Sequence, residues 1–140
     1  MANYNGKCRT NYFSVADTSK LKDIINGLSG EGEIGFLEHD TEKGKFAFFC
    51  DLNLTGFVDD EDEDGFEKAF DLMVEKFQEI LPDDEAIILT EIGNEKMCYL
   101  VGVATIITNK VVAVVNLEDY AMAKAREMLN NPNYMTQMDY

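Results

Sequence analysis

Several residue types are scarce in this sequence, and each scarcity excludes a class of function. There is one histidine, and the three cysteines, Cys8, Cys50 and Cys98, stand far apart without any CxxC spacing. A zinc site and a disulfide framework are therefore not indicated, and reduced thiols are the simplest interpretation. Lys and Arg number 12 against 27 Asp and Glu. This balance argues against direct binding to nucleic acid or to an anionic membrane, because phosphate contacts need basic side chains.

Long apolar runs are also missing. No stretch approaches the roughly 20 apolar residues that a membrane-spanning helix needs, and the N-terminus lacks a basic region followed by an apolar run. We therefore expect no membrane association and a location in the cytoplasm. The 46% hydrophobic content indicates a chain that can bury a core, so we predict one globular domain covering residues 1–140.

The negative charge is concentrated in one segment. Residues 1–57 carry 8 acids and 6 bases, residues 58–95 carry 15 acids and 2 bases, and residues 96–140 carry 4 of each. Nearly all of the net charge of −15 therefore belongs to the middle segment. Such a concentration is a local feature with a local electrostatic field.

Apolar periodicity predicts nine elements in the order β-α-β-β-α-β-β-β-α. The predicted strands are 9–15, 33–39, 45–54, 85–93, 96–108 and 110–117, and the predicted helices run from Asp17 or Thr18 to Gly30, from Phe66 to Leu81, and over 117–132. This order predicts a two-layer α+β fold, with a mainly antiparallel sheet and helices packed on one face. Its start is ferredoxin-like, and a meander and a helix close the chain. The strand 110–117 is apolar on both faces, which is typical of a buried strand or of an edge that pairs in a homodimer; we expect burial.

Acidic residues recur at every fourth position from Asp59 to Asp83. On a helix each step of four advances about 6 Å and turns about 40° around the axis, so the carboxylates form a slowly winding row. Like charges at this spacing destabilise a helix, and Lys68 and Lys76 are expected to relieve part of the repulsion through their i+3 partners Asp71 and Glu79. The remaining repulsion indicates a use other than stability. We predict that the surface imitates a phosphate backbone and binds a basic protein. The predicted partner-binding residues are Asp59, Asp60, Glu61, Asp62, Glu63, Asp64, Glu67, Asp71, Glu75, Glu79 and Asp83.

A calcium loop over residues 59–71 is a weaker alternative. Asp60, Asp62, Asp64 and Gly65 reproduce the start of an EF-hand loop, but Asp71 stands at its twelfth position, where a longer Glu normally binds the ion with both oxygens. A strand, not a helix, is predicted before the loop. We therefore expect no metal site and no cofactor.

Catalytic signatures are weak. His39 has no second histidine or nucleophile with a recognisable motif near it, and the glycines of residues 27–35 follow a helix and precede a strand, the reverse of a phosphate-binding loop. We predict a protein that is not an enzyme.

Three blocks of the sequence carry a family resemblance: "RTNYFSV", "EIGNEKMCYLVGVATIIT" and "AKAREMLNNPNYMTQMDY". They resemble small acidic uncharacterised proteins carried on phages and conjugative elements of Gram-positive gut bacteria. The resemblance implies a mobile-element protein that works inside a bacterial host cell. Together with the acidic row, it suggests an inhibitor of a host nucleic-acid-binding defence or repair protein, of the anti-restriction or anti-CRISPR type. The alternative is a non-catalytic accessory or structural protein whose acidic face only keeps it soluble.

Overall fold

The computed structural model describes residues 4–58, 67–95 and 99–138. The strands are β1 (Tyr4–Thr10), β2 (Leu28–Gly30), β3 (Ile34–Glu38), β4 (Phe46–Cys50), β5 (Leu54–Phe57), β6 (Ile87–Glu95), β7 (Tyr99–Ile107) and β8 (Val112–Asn116). The helices are α1 (Thr18–Asn26), α2 (Ala69–Ile80) and α3 (Leu117–Leu129).

The fold is α+β with a mainly antiparallel sheet, as predicted. Six strands form one sheet in the order β3-β4-β1-β6-β7-β8, and every neighbouring pair in it is antiparallel. Within it, β4 lies between β3 and β1, and β1 lies between β4 and β6. This is the interleaved arrangement of the split βαβ, or ferredoxin-like, order. The predicted element order is confirmed, with β2 and β5 as two short additions.

The small sheet formed by β2 and β5 was not predicted. Leu28 pairs with Phe57 and Ser29 with Gly56, so α1 ends at Asn26, with Gly27 as its C-cap, and not at Gly30. The N-cap of α1 is Asp17, whose side chain accepts hydrogen bonds from the backbone N–H groups of Ser19 and Lys20. The helix start is therefore set locally, whereas its end is set by a strand that begins 28 residues later, at Leu54.

The first strand also differs from its predicted boundaries of 9–15. β1 covers Tyr4–Thr10 because all seven of its residues pair with β6. Beyond Thr10 the N–H of Asn11 donates to the carbonyl of Ile88, and Phe13 forms an isolated bridge with Phe46. Pairing with a distant strand, which local composition does not reveal, sets the boundaries here.

The core lies between one face of the large sheet and the helices α1 and α2. Phe48 of β4 stacks on Phe77 of α2, with ring centroids 5.5 Å apart and planes 11° apart. Phe13, in the loop after β1, meets Phe77 edge to face at 6.3 Å. The fully buried large side chains are Phe13, Leu21, Phe48, Met73, Phe77, Ile87 and Ile107.

A close backbone contact fixes the start of α2. Gly56 of β5 has φ of +128°, and a Cβ atom built on it would lie 2.4 Å from the carbonyl oxygen of Ala69. Glycine is required here because it alone adopts this φ without strain and leaves room for the helix backbone. β5 thus holds the first turn of α2 in place.

The C-terminal elements are much less covered. β8 is the edge strand, and its residues are exposed apart from half-buried Asn116, so the expectation of a buried strand was wrong. As the last strand of the sheet, β8 pairs with β7 on one side and has no described strand on the other. The side chain of Asn116 caps α3, but none of the residues of α3 is buried. Leu117 lies against Gly102, which pairs with Ile92 on the sheet face opposite the core.

Candidate acidic interaction site

The structure describes five of the eleven predicted partner-binding residues. Asp59 to Asp64 and the start of the predicted calcium loop lie outside the described residues, as does the predicted helix start at Phe66. The remaining five residues, all exposed, are Glu67, Asp71, Glu75, Glu79 and Asp83. Because Glu67 to Glu79 follow one another at intervals of four, we call these four residues the acidic row.

The acidic row is carried by a firmly anchored helix. Ala69, Met73, Val74, Phe77 and Ile80 of α2 are buried, so the helix is fixed in rotation about its axis. Asp71, Glu75 and Glu79 consequently lie on the exposed side, about 6 Å apart along the axis. Glu67 lies in the turn immediately before the first helical residue, Ala69.

The row is largely without counter-ions. Within the part of the chain that the structure describes, the ion pairs are Lys7–Asp51, Lys45–Glu85 and Lys124–Glu127, and none of them includes a residue of the row. The ammonium of Lys76, a residue of the same helix, lies 4.5 Å from the centroid of the Phe57 ring. Lys76 therefore does not form the ion pair with Glu79 that helical spacing predicts.

The two ends of the predicted series differ from its middle. Glu79 lines a groove of about 180 Å³ together with Lys20, Asp23 and Lys76, so two lysines lie on its side of the helix. Asp83 comes after the helix end, and its carboxylate accepts a hydrogen bond of 2.7 Å from the side-chain amide of Asn109. Asp71 and Glu75 form no ion pair within the described residues.

The helix dipole stabilises some of the acids of α2 and destabilises others. Asp71 lies in the first turn, where a negative charge is favourable. Glu79 lies in the last turn, which contains no basic residue, and there the dipole disfavours a carboxylate. Helix stability accounts for Asp71 and does not account for Glu79.

Glu85, which belongs to the acidic segment 58–95, has a structural role. Its carboxylate accepts hydrogen bonds from the N–H and hydroxyl of Ser14, both at 2.9 Å, from the N–H of Ala86 at 3.0 Å and from Lys45 at 3.2 Å. Partial burial by itself raises the pKa of Glu85, but these hydrogen bonds outweigh it and hold the pKa below its usual value. Glu85 joins the loop after β1, the start of β4 and the start of β6.

His39 stabilises a turn. Its Nδ1 accepts hydrogen bonds from the N–H groups of Thr41 and Glu42, at 3.2 and 3.0 Å. Its ring meets the ring of Tyr12 edge to face at 4.8 Å. Among residues 4–58, 67–95 and 99–138 there is no group of three or more His, Cys, Asp or Glu side chains that could hold a metal ion.

Sequence reasoning missed a concave surface on the open face of the sheet. A cavity of about 810 Å³ is lined by residues that include Lys7, Arg9, Tyr12, Phe49 and Ile92. Lys7 and Arg9 alternate with buried Cys8 along β1, which puts both cations on this face. That alternation could have revealed the surface had the strand been placed at residues 4–10 instead of 9–15.

The comparisons with known proteins give no relative. No family model, no curated protein and no solved structure matches the chain. A search of the described helices for one long and apolar enough to cross a membrane finds none.

Proposed function

We propose that this chain is an acidic protein-interaction module of a mobile element, acting in the cytoplasm of a bacterial host cell. In this proposal the acidic row takes the place of nucleic-acid phosphates in the groove of a basic nucleic-acid-binding protein. Occupying that groove inhibits a defence or repair protein, as an anti-restriction or anti-CRISPR protein would. No catalytic step is part of the proposed function.

The observation that carries the proposal is the uncompensated charge of the acidic row. Asp71 and Glu75 project from a helix whose opposite side is buried, and they form no ion pair within the described residues. Lys76 lies over the Phe57 ring and forms no ion pair with Asp71 or Glu75 among the described residues. Regularly spaced carboxylates on a rigid support can be desolvated by a basic groove without first breaking internal ion pairs.

Stability alone does not favour this arrangement. Each pair of like charges at i, i+4 destabilises a helix by about 0.2–0.5 kcal/mol, and Glu79 also opposes the dipole of α2. A surface that needs only solubility can distribute its acids and intersperse bases. We assign the row to recognition because it keeps this like-charge repulsion, which solubility does not require.

The test compares two variants of equal charge. The row quartet is E67Q/D71N/E75Q/E79Q, and the control quartet is E31Q/E33Q/D40N/E42Q, which changes exposed acids elsewhere. Each quartet removes four negative charges from the formal −15 and leaves −11. Tagged wild type and both variants are used to capture proteins from a bacterial lysate, and the bound proteins are identified by mass spectrometry.

The proposal predicts that wild type and the control quartet recover the same basic nucleic-acid-binding protein and that the row quartet loses it. Equal recovery by all three proteins, or recovery of no such protein by the wild type, would overturn the proposal. The acidic face would then act only in solubility, as expected of an accessory or structural protein. Equal loss in both quartets would show that net charge acts without any contribution from the row geometry.

A further inference from the structure

β8 presents an unpaired edge and two uncovered faces. It is the last strand of the six-stranded sheet, and among the described strands only β7 lies beside it. Val112 and Val114 are 42% and 64% exposed, and Val115, on the other face, is 42% exposed. A strand whose valines are exposed on both sides is unusual in a monomer, because valine is among the residues most often buried.

The hydrogen-bond pattern shows which backbone groups point outward. The N–H of Thr108 donates to the carbonyl of Val111 at 2.9 Å, so the turn between β7 and β8 closes on a hydrogen-bonded pair. Because such pairs alternate along an antiparallel ladder, the N–H and C=O groups of Ala113 and Val115 point toward β7. Those of Val112 and Val114 point away from the sheet, toward solvent.

This edge lacks the features that protect edge strands in monomeric proteins. Residues 111–117 contain no charged residue and no proline, and the pairing of β8 with β7 has no register shift. Monomers commonly use lysine, proline or a bulge at such an edge to prevent pairing with another chain. The opposite edge strand, β3, does carry a charge, since it ends in Glu38.

We propose that the edge of β8 pairs with β8 of a second copy of this chain. The two strands run antiparallel about a two-fold axis at Val114, so that Val114 faces its own copy and Val112 faces Asn116 of the other chain. This register satisfies the outward N–H and C=O groups of Val112 and Val114 in both chains. It joins two six-stranded sheets into one continuous sheet of twelve strands.

Charge distribution favours a second copy at this end of the molecule. The protein as a whole carries −15, but residues 96–140, which include β8 and α3, carry 4 acids and 4 bases. Two copies that meet through this neutral region keep their acidic segments outside the contact. The acidic row remains available to another partner.

The exposed apolar surface is of a suitable size. Val111, Val114, Leu117 and Tyr120 are each 64% exposed, and Val112 and Val115 each 42%. These six side chains flank the edge on both faces of the sheet and present on the order of 400–500 Å², against the roughly 800 Å² per partner in a typical stable interface. Backbone and polar atoms along the strand add to this area.

The first test measures association by sedimentation equilibrium of the chain alone, over a range of protein and NaCl concentrations. The wild type is expected to dimerise, and more tightly at higher salt, because salt screens the repulsion between two acidic molecules. V114K and V114P are each expected to raise the dimer Kd at least about tenfold. V114K places two like charges together across the axis, and V114P removes the outward N–H. I92K, at another exposed apolar position of the sheet, is the control and is expected to dimerise as the wild type does.

A cross-linking variant tests the register itself. In a C98S background, V114C is expected to form an intermolecular disulfide under copper phenanthroline, because hydrogen-bonded partners have Cα atoms about 5.5 Å apart. V112C is expected not to cross-link to itself, since its two copies would lie about 13 Å apart along the strands. A wild type that stays monomeric at all concentrations, a V114 variant that dimerises like the wild type, or cross-linking through V112C would each overturn this interface. None of these outcomes bears on the acidic row, which the capture experiment tests separately.

Discussion

Lys76 lies over the ring of Phe57 at 4.5 Å and not against a carboxylate of its own helix. A lysine held on an aromatic face gains about 0.5–1 kcal/mol at an exposed site and keeps its charge at the side of α2. The contact with Phe57 thereby holds the lysine beside the groove that Glu79 also lines. Asp71 and Glu75, nearer the start of the helix, form no ion pair among the described residues.

K76M should lower the free energy of unfolding by about 0.5–1 kcal/mol, because it removes the cation–π contact. It should also strengthen binding to the basic partner a few-fold, because the variant gains one unit of negative charge beside the row. Urea unfolding and the partner Kd measure the two effects. K22M, which removes an exposed lysine of α1, is the control for net charge. Weaker partner binding by K76M would mean that Lys76 is itself part of the recognised surface.

E79Q and D71N should change stability in opposite directions. E79Q removes a carboxylate from the last turn of α2 and a like-charge neighbour of Glu75, so unfolding should cost about 0.3–1 kcal/mol more. D71N removes an acid from the first turn, where the dipole favours it. Its loss of dipole stabilisation should exceed the relief of like-charge repulsion, so the free energy of unfolding of D71N should fall.

The comparison is made by urea unfolding at low ionic strength and again in 1 M NaCl, where both effects should shrink. A lower stability for E79Q at low salt would show that attraction to Lys20 and Lys76 across the groove outweighs the dipole and the repulsion. In that case Glu79 would have an explanation in stability, and the recognition surface would contract to the other three residues of the row.

E85Q should destabilise the protein by about 1–3 kcal/mol at pH 7, because a neutral amide cannot accept all of the hydrogen bonds that the carboxylate receives. The pKa of Glu85 is lower in the folded state than in the unfolded state. Its contribution is therefore present above the unfolded-state pKa and is lost as the pH falls through the folded-state pKa. The stability difference between wild type and E85Q should shrink in acid, whereas D84N, a change at the exposed neighbour, should stay close to wild type throughout.

Cys8 should resist alkylation in the native protein. Burial raises the pKa of its thiol to about 12, and the Glu91 carboxylate and Cys50 add to the shift. Very little thiolate is then present at pH 8, and the thiolate is the reactive form. Peptide mass spectrometry after iodoacetamide treatment should find Cys8 unmodified in native protein and modified in guanidinium chloride; rapid native labelling would show that β1 opens readily.

The same pKa shift gives a signed dependence on alkaline pH. An unfolded thiol ionises near pH 8.5–9, while folded Cys8 stays protonated to about 12. The unfolded state then binds fewer protons, so stability should fall as the pH rises from about 9 toward 12. C8A should flatten this part of the stability profile, and an unchanged slope would contradict the account.

The parts of the fold that could be predicted are those set by nearby residues. The caps Asp17 and Asn116 follow from short side chains that accept hydrogen bonds from the next turn, and the buried stripe of α2 follows from its 3.6-residue period. The small sheet of β2 and β5 could not be predicted, because three-residue strands have no period and depend on a distant partner. The exposure of β8 could not be predicted either, since its composition is the same for an interior and an edge strand.

The candidate site shows the same division. Spacing predicted that Asp71, Glu75 and Glu79 lie on an exposed side of one helix, and the structure has them there. Spacing also predicted a Lys76–Glu79 ion pair. This prediction is wrong, because the ammonium of Lys76 lies over the ring of Phe57 in β5. The bond between Asp83 and Asn109 likewise joins residues 26 apart in the chain, beyond any local pattern.

Competition with duplex DNA tests the central claim most directly, because a phosphate mimic and DNA must occupy the same groove. The Kd of the wild type for the basic protein recovered by capture is measured at increasing concentrations of a short duplex, with a neutral polymer as the control. The account predicts an apparent Kd that rises in proportion to the DNA concentration and no complex containing all three components. An unchanged Kd together with a ternary complex would contradict mimicry and would place the contact outside the nucleic-acid groove.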